Sequence, residues 1–235
     1  IFMQMFALLN HFLSLIKKAG NIAITTHVHP DADGIGSEIA LCMALRQIGK
    51  KVICVNEELL LERYRYLDPH KVVISYEDYL RRPPKGEIDL FIVTDTNALP
   101  RVGPRIQELV KNSKSLLFVD HHPCPRQLQA IHCIDTTMSA TGELVGRLIA
   151  ALKIKFTKEI ALPLYTSILI DTSSFRYPTV TGATHRLIAD LMDSGISPSD
   201  AYNKIYGTKR ISYMQMLGTI LSSAQSTPDG RIAWL

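Results

Sequence analysis

Four stretches far apart in this chain place carboxylates and imidazoles where they could do chemistry. The first, Thr25-Thr-His-Val-His-Pro-Asp-Ala-Asp-Gly-Ile-Gly-Ser37, gathers His27, His29, Asp31 and Asp33 where an apolar run stops. The second is Asp95 and the third Asp120-His121-His122, each ending another apolar run; the fourth is Asp171-Thr-Ser-Ser-Phe-Arg-Tyr-Pro178. Carboxylates two residues apart repel each other and call for an offsetting cation. Imidazole combined with carboxylate oxygens suits manganese, magnesium or another borderline divalent ion better than calcium alone. Read by itself, the first stretch also has a plainer account: Asp31 and Asp33 as turn and N-cap residues, His27 as a satisfied histidine, and the glycines as turn formers. His29, between these groups, is left without a role.

The elements that must position these groups are legible from periodicity. Residues 21–26 read as a buried strand, and the apolar spacing from Asp33 through Ile39, Cys42, Leu45 and Ile48 reads as the helix after it. Residues 88–94 lead into Asp95, 116–119 lead into Asp120, and a helix from near Thr157, carrying Pro163 in its first turns, delivers Asp171. Shorter strands are expected at 51–55, 72–74 and 131–134. Further helices are expected at 59–67, from Pro104 through Lys111, from Ser139 or Thr141 as cap to about Leu152, from Ser197-Pro198, and over 209–224. Glu57, Glu58 and Glu62 read as a solvated face. The fold class is therefore α/β, a doubly wound and mainly parallel sheet with helices on both faces. In such a sheet the carboxyl ends of strands lie side by side, so the four stretches can meet in one crevice.

With 46% hydrophobic and 20% charged residues over 235, the chain can bury one large core or one core plus a small second domain. A net charge of +4 suits an anionic substrate, but the chain lacks the clustered Lys/Arg stripe of a long-duplex binder. Cys42, Cys54, Cys124 and Cys133 have no close metal-ligand spacing, and a reducing cytoplasm is the natural setting. Residues 1–18 are too short to span a bilayer and read as an amphipathic docking helix.

In order and in context, His27, Asp31 and Asp33, then Asp95, then Asp120-His121-His122, then Asp171 resemble the four signature motifs of the DHH phosphoesterase superfamily. Within it, Pro30-Asp-Ala-Asp-Gly-Ile-Gly-Ser37 and Asp171-Thr-Ser-Ser-Phe-Arg-Tyr-Pro178 look most like the RecJ-related branch of bacterial oligoribonucleases and phosphoadenosine-phosphate phosphatases. The resemblance implies two divalent ions, manganese first and magnesium as the alternative. One would be held by His27, Asp31 and Asp95, the other by Asp33, Asp95, His121 and Asp171, with Asp95 bridging as a catalytic residue. It also implies His122 as a catalytic group facing the scissile phosphate and Asp120 as a support for a ligand imidazole, with Ser37, Arg176 and His185 as candidate substrate contacts. The implied activity is hydrolysis of short oligoribonucleotides, dinucleotides or 3'-phosphoadenosine 5'-phosphate by a metal-activated water. A manganese-dependent inorganic pyrophosphatase and a non-catalytic nucleic-acid-binding relative are the alternatives. By the same resemblance, residues 1–208 form the DHH domain and 209–224 a connector helix. Residues 225–235, where Asp229-Gly230 reads as a turn before a first strand, would open a DHHA1 domain that is largely missing.

Overall fold

The computed structural model describes residues 2–124, 131–207 and 209–235. The expected apolar runs become strands β1 (Asn21–Thr25), β2 (Lys51–Asn56), β3 (Val73–Ser75), β4 (Leu90–Thr94), β5 (Leu116–Asp120) and β6 (Ile131–Ile134). They pair in parallel in the order β3-β2-β1-β4-β5-β6. From β1 the chain winds outward through β2 to β3, and from β4 it winds the other way through β5 to β6. The winding direction therefore reverses between β1 and β4, where doubly wound sheets open their ligand crevice.

The strands are continuous apolar runs because both faces are covered. On one face Ala23, Phe91, Val93 and Phe118 pack with Val102, Ile106 and Val110, the last two from α4 (Pro104–Lys111). The alternate residues Ile22, Ile24, Ile92, Leu117 and Val119 are equally buried. By the strand's two-residue period they point to the opposite face. Helices α2 (Ala32–Gln47) and α5 (Thr141–Ala151) pack against the sheet, and α6 (Lys158–Asp171) lies along α2. α2 is buried all round from Ala32 to Leu45 except at Met43, and Gly36 lies tightly against α6. A Cβ there would lie 2.4 Å from the backbone oxygen of Pro163. The amino-terminal helix α1 (Phe2–Lys18) docks Phe12 and Ile16 into the core. No helix among the described residues is long and apolar enough to cross a membrane.

Several expectations need correction. The helix expected at 59–67 is a 3-10 helix confined to Glu62–Leu67, with Leu59 and Leu61 left exposed. Glu57 is not part of a solvated face. It is buried, accepts the backbone N–H groups of Arg105 and Ile106 at 3.1 Å each, and pairs with the Arg105 guanidinium at 2.6 Å, so it caps α4 from outside. Glu58 and Glu62 are exposed as expected. Two helices, α3 (Tyr76–Arg81) and α7 (Gly182–Met192), add to the expected set. α5 is capped by neither Ser139 nor Thr141: its N-cap is Ala140, and Thr141 is already helical.

Residues 199–235 form a separate compact unit. Within it, the helix Ile211–Ser222 precedes a hairpin of β7 (Gln225–Ser226) and β8 (Ala233–Trp234), closed around Gly230 at φ +67°. The strand expected after Asp229-Gly230 is thus paired back onto its own chain. Ile211, Ile232, Trp234 and Leu235 are exposed in this unit. The domain boundary expected at residue 208 lies outside the described residues.

Candidate metal centre

The carboxyl ends of β1 and β4 are stitched together before either delivers a reactive group. Thr26 Oγ1 donates to Thr94 O at 3.0 Å, and Thr94 Oγ1 donates to Thr25 O at 3.1 Å. Asn56, at the end of β2, accepts from Thr25 Oγ1 and Thr26 N through Oδ1. His27 leaves this clamp with Nδ1 at 2.9 Å from the carbonyl oxygen of Val28. That contact places the proton on Nδ1 and leaves Nε2 as a lone pair, 3.4 Å from Asp95 Oδ2. Asp31 is the N-cap of α2: its Oδ1 accepts from Asp33 N and Gly34 N. Helix capping therefore occupies one oxygen of Asp31 and leaves the other free. Gly34 lets the first turn of α2 approach the ends of β1 and β4, since a Cβ there would lie 2.2 Å from Thr26 Oγ1 and 3.3 Å from Asp95 Oδ2. Asp95 itself sits at φ +60°, a left-handed conformation that Asp tolerates better than most residues.

Asp33 is the most heavily held of these groups. Its Oδ2 accepts the N–H of Thr141 at 2.8 Å, and its Oδ1 accepts the N–H of Gly142 at 2.9 Å together with the hydroxyl of Ser167. The first turn of α5 is thus capped by a carboxylate from α2, which adds the positive end of the α5 dipole to the site. Thr141 Oγ1 meanwhile donates to Asp95 Oδ1 at 2.9 Å. Asp120, fully buried, accepts from His121 N, His122 N and His122 Nδ1 through Oδ1, and from Asn97 Nδ2 through Oδ2. It orients the ring of His122, whereas the imidazole of His121 is oriented by the carbonyl of Met138, 3.3 Å from Nδ1.

The electrostatics of this cluster are unbalanced. Burial pushes the carboxyls of Asp33, Asp95 and Asp171 up, Asp171 to about 6, and their mutual repulsion pushes Asp95 and Asp171 further. His122 is pushed up to about 9, first by its hydrogen bond to Asp120. His121 Nε2 is buried with no hydrogen-bond partner, 3.3 Å from Asp171 Oδ2 and 3.7 Å from Asp33 Oδ2. With its proton on Nδ1, this nitrogen presents a lone pair to two carboxylates. Lone pairs converging in a buried place are what a cation relieves, so the residues fit a divalent ion. His27, Asp31 and Asp95 form one group with ligand atoms within 4.8 Å of one another, and Asp33, His121 and Asp171 form a second; Asp95, His121 and His122 form a third. The structure thus brings His27, Asp31 and Asp95 together and Asp33, His121 and Asp171 together, while Asp95 groups with His121 and His122 and not with Asp33 and Asp171.

The remaining candidates lie elsewhere. Ser37 is fully buried, its hydroxyl 3.5 Å from Asp33 Oδ1, so it supports a carboxylate and cannot reach a phosphate in the crevice. Arg176 is exposed and folded back onto Ser173. His185 is exposed, its ring 6.0 Å from that of Phe175. His29 is exposed at φ +52°.

A family model described as the DHH family, N-terminal domain, matches residues 21–168. The chain belongs to the DHH family. The bifunctional oligoribonuclease and PAP phosphatase NrnA of Thermus thermophilus is 31% identical over 206 residues, which cover 87% of this chain and 59% of the relative. The protein of the same name from Bacillus subtilis is 26% identical over 215 residues, covering 89% and 64% respectively. Among solved structures, an exopolyphosphatase-related protein from Bacteroides fragilis superposes with a TM-score of 0.86 at 28% identity, covering 95% of this chain and 67% of that one. The chain spans about three fifths of the length of these two curated relatives. The matched DHH segment contains every group described above except Asp171 and the residues after it. Reading the sequence missed Thr141, Gly142, Ser167 and Asn97 as supports. Ser139-Ala-Thr-Gly-Glu143 did signal a helix start, but nothing local signals that its cap comes from Asp33.

Proposed function

We propose that the chain carries the catalytic domain of a metal-dependent phosphoesterase that hydrolyses short oligoribonucleotides, dinucleotides or 3'-phosphoadenosine 5'-phosphate. The observation that carries this reading is the convergence of buried carboxylates and imidazole nitrogens at the switch point of the sheet, with no lysine or arginine paired to these carboxylates among the described residues. Membership of the DHH family and likeness to relatives named as oligoribonucleases support it. In this reading His27, Asp31 and Asp95 hold one ion, and Asp33, His121 and Asp171, with Asp95 shared, hold a second. Two divalent ions there, manganese or magnesium by the donor set, would supply Lewis acidity toward a phosphoryl oxygen and an attacking water.

The chain's own residues do the rest. Asp33 is fixed by two backbone N–H groups and Ser167, so its oxygens need no reorganisation when an ion arrives. His122 is held as an imidazolium by Asp120, and its half-exposed ring offers the second N–H to a phosphate oxygen or a departing alkoxide. We further take residues 1–208 as the DHH domain, 209–224 as the connector and 225–235 as the opening of a second domain. The longer relatives and the exposed Ile211, Ile232 and Trp234 support this.

The test is to incubate the full natural protein with manganese and, separately, a labelled diadenylate, 3'-phosphoadenosine 5'-phosphate and pyrophosphate. Release of AMP, abolished by EDTA and by Asp95→Asn, is the expected result. Rapid pyrophosphate hydrolysis with no nucleotide turnover would assign the site to a pyrophosphatase, and no turnover of any substrate with either metal would sink the reading.

A further inference from the structure

On its His27 side the candidate metal centre opens into a cavity of about 270 Å³ between the end of β1 and the segment that precedes the 3-10 helix. His27 lines it and also belongs to the His27–Asp31–Asp95 group, so the cavity and the candidate metal centre adjoin at this residue. Pro30, Ile35 and Leu60 give it apolar walls, with His29 at its edge. Two of its polar residues are already engaged. Asn56 uses Oδ1 on Thr25 and Thr26 and Nδ2 on Glu38, and the Glu57 carboxylate is taken by Arg105 and the start of α4. At the rim, Leu59 and Leu61 stand 68% and 41% exposed beside the exposed Glu58, and the Arg63 guanidinium carbon lies 4.7 Å from the centroid of the Tyr64 ring.

We propose that this cavity seats a nucleobase whose sugar and phosphate run over the His27–Asp95 cluster, an inference that rests on the phosphoesterase reading. A pocket of this size is below the usual range for drug-sized ligands and suits one base with part of its ribose, not a longer oligonucleotide. Apolar walls and a guanidinium at the rim favour an aromatic ring, and bind it by stacking with little sequence preference. Pyrophosphate has nothing to place there.

The test compares the binding of AMP and of ribose 5-phosphate to the full natural protein in manganese by calorimetry. AMP should bind about tenfold or more tightly than ribose 5-phosphate, the scale of one stacked base. Leu59→Glu and Leu61→Glu change side chains that are exposed at the rim. Each should shrink that preference several-fold while leaving ribose 5-phosphate binding unchanged. No AMP preference, or a preference that both variants retain, overturns the cavity assignment even if dinucleotide is hydrolysed. An AMP preference lost in both variants supports the assignment even if hydrolysis fails, so the two readings fail separately.

Discussion

Asp171→Asn should make the metal-free protein more stable and the metal-loaded protein less so. Burial and the neighbouring Asp33 push the Asp171 carboxyl from 3.8 to about 6. A folded-state pKa above the unfolded value means that ionisation is penalised by folding. The penalty is absent well below pH 3.8, grows between about 4 and 6, and is constant above. Two units at about 1.4 kcal/mol each give a ceiling of ~3 kcal/mol. Because the side chain is 30% exposed, solvent screening brings this to ~1–2 kcal/mol. Urea denaturation in EDTA at pH 8 should therefore show the Asn variant more stable by that amount, and about a third of the gain should remain at pH 4.5. With saturating manganese at pH 8 the order should reverse, because wild type gains more from the ion. A variant less stable than wild type in EDTA at pH 8, or a difference that does not change with pH, would refute the claim that this carboxylate is held at a cost.

Gly36→Ala pushes a Cβ against the backbone oxygen of Pro163 and to 3.0 Å from Ser167 Cβ, neither of which can swing aside. The helix-propensity gain of ~1 kcal/mol is smaller than the overpacking cost of ~1–3 kcal/mol, so thermal stability should fall. Calorimetry should also show weaker manganese binding, because the Ser167–Asp33 hydrogen bond crosses the same contact; unchanged affinity would mean that α2 and α6 separate without disturbing Asp33. Glu57→Ala strips two backbone N–H groups at the start of α4 of their acceptor and leaves Arg105 to its Glu77 partner and the Glu57 carbonyl, which should cost ~1–3 kcal/mol in urea denaturation. A loss under about 0.5 kcal/mol would return Glu57 to the class of surface residues.

The sheet was legible because parallel strands buried on both faces write themselves as unbroken apolar runs, as 90–94 and 116–119 do. The candidate ligands were legible because apolar runs stop at polar groups, and in this topology strand ends converge. What failed was whatever depends on a partner distant in sequence. Glu57 has the composition of a solvated residue, and only the arrival of Arg105 makes its burial tolerable. Thr141 looks like a cap and is instead a donor to Asp95, since the capping carboxylate is supplied by Asp33. α7 begins with a capping box built from Thr181 and Thr184, which lacks the Glu or Gln that would have announced it.

The hydrogen bonds that hold the Asp33 carboxylate reach across 108, 109 and 134 residues of sequence. No local segment can assemble this pocket, and each of those closures follows the slow search that long-range pairing imposes. A divalent ion that needs the finished pocket has nothing to grip in the unfolded chain or early on the folding route. Its stabilisation then falls almost entirely on the unfolding rate: the loaded protein unfolds more slowly while refolding no faster. Metal in the cell would therefore lengthen the lifetime of the folded chain without helping it to fold.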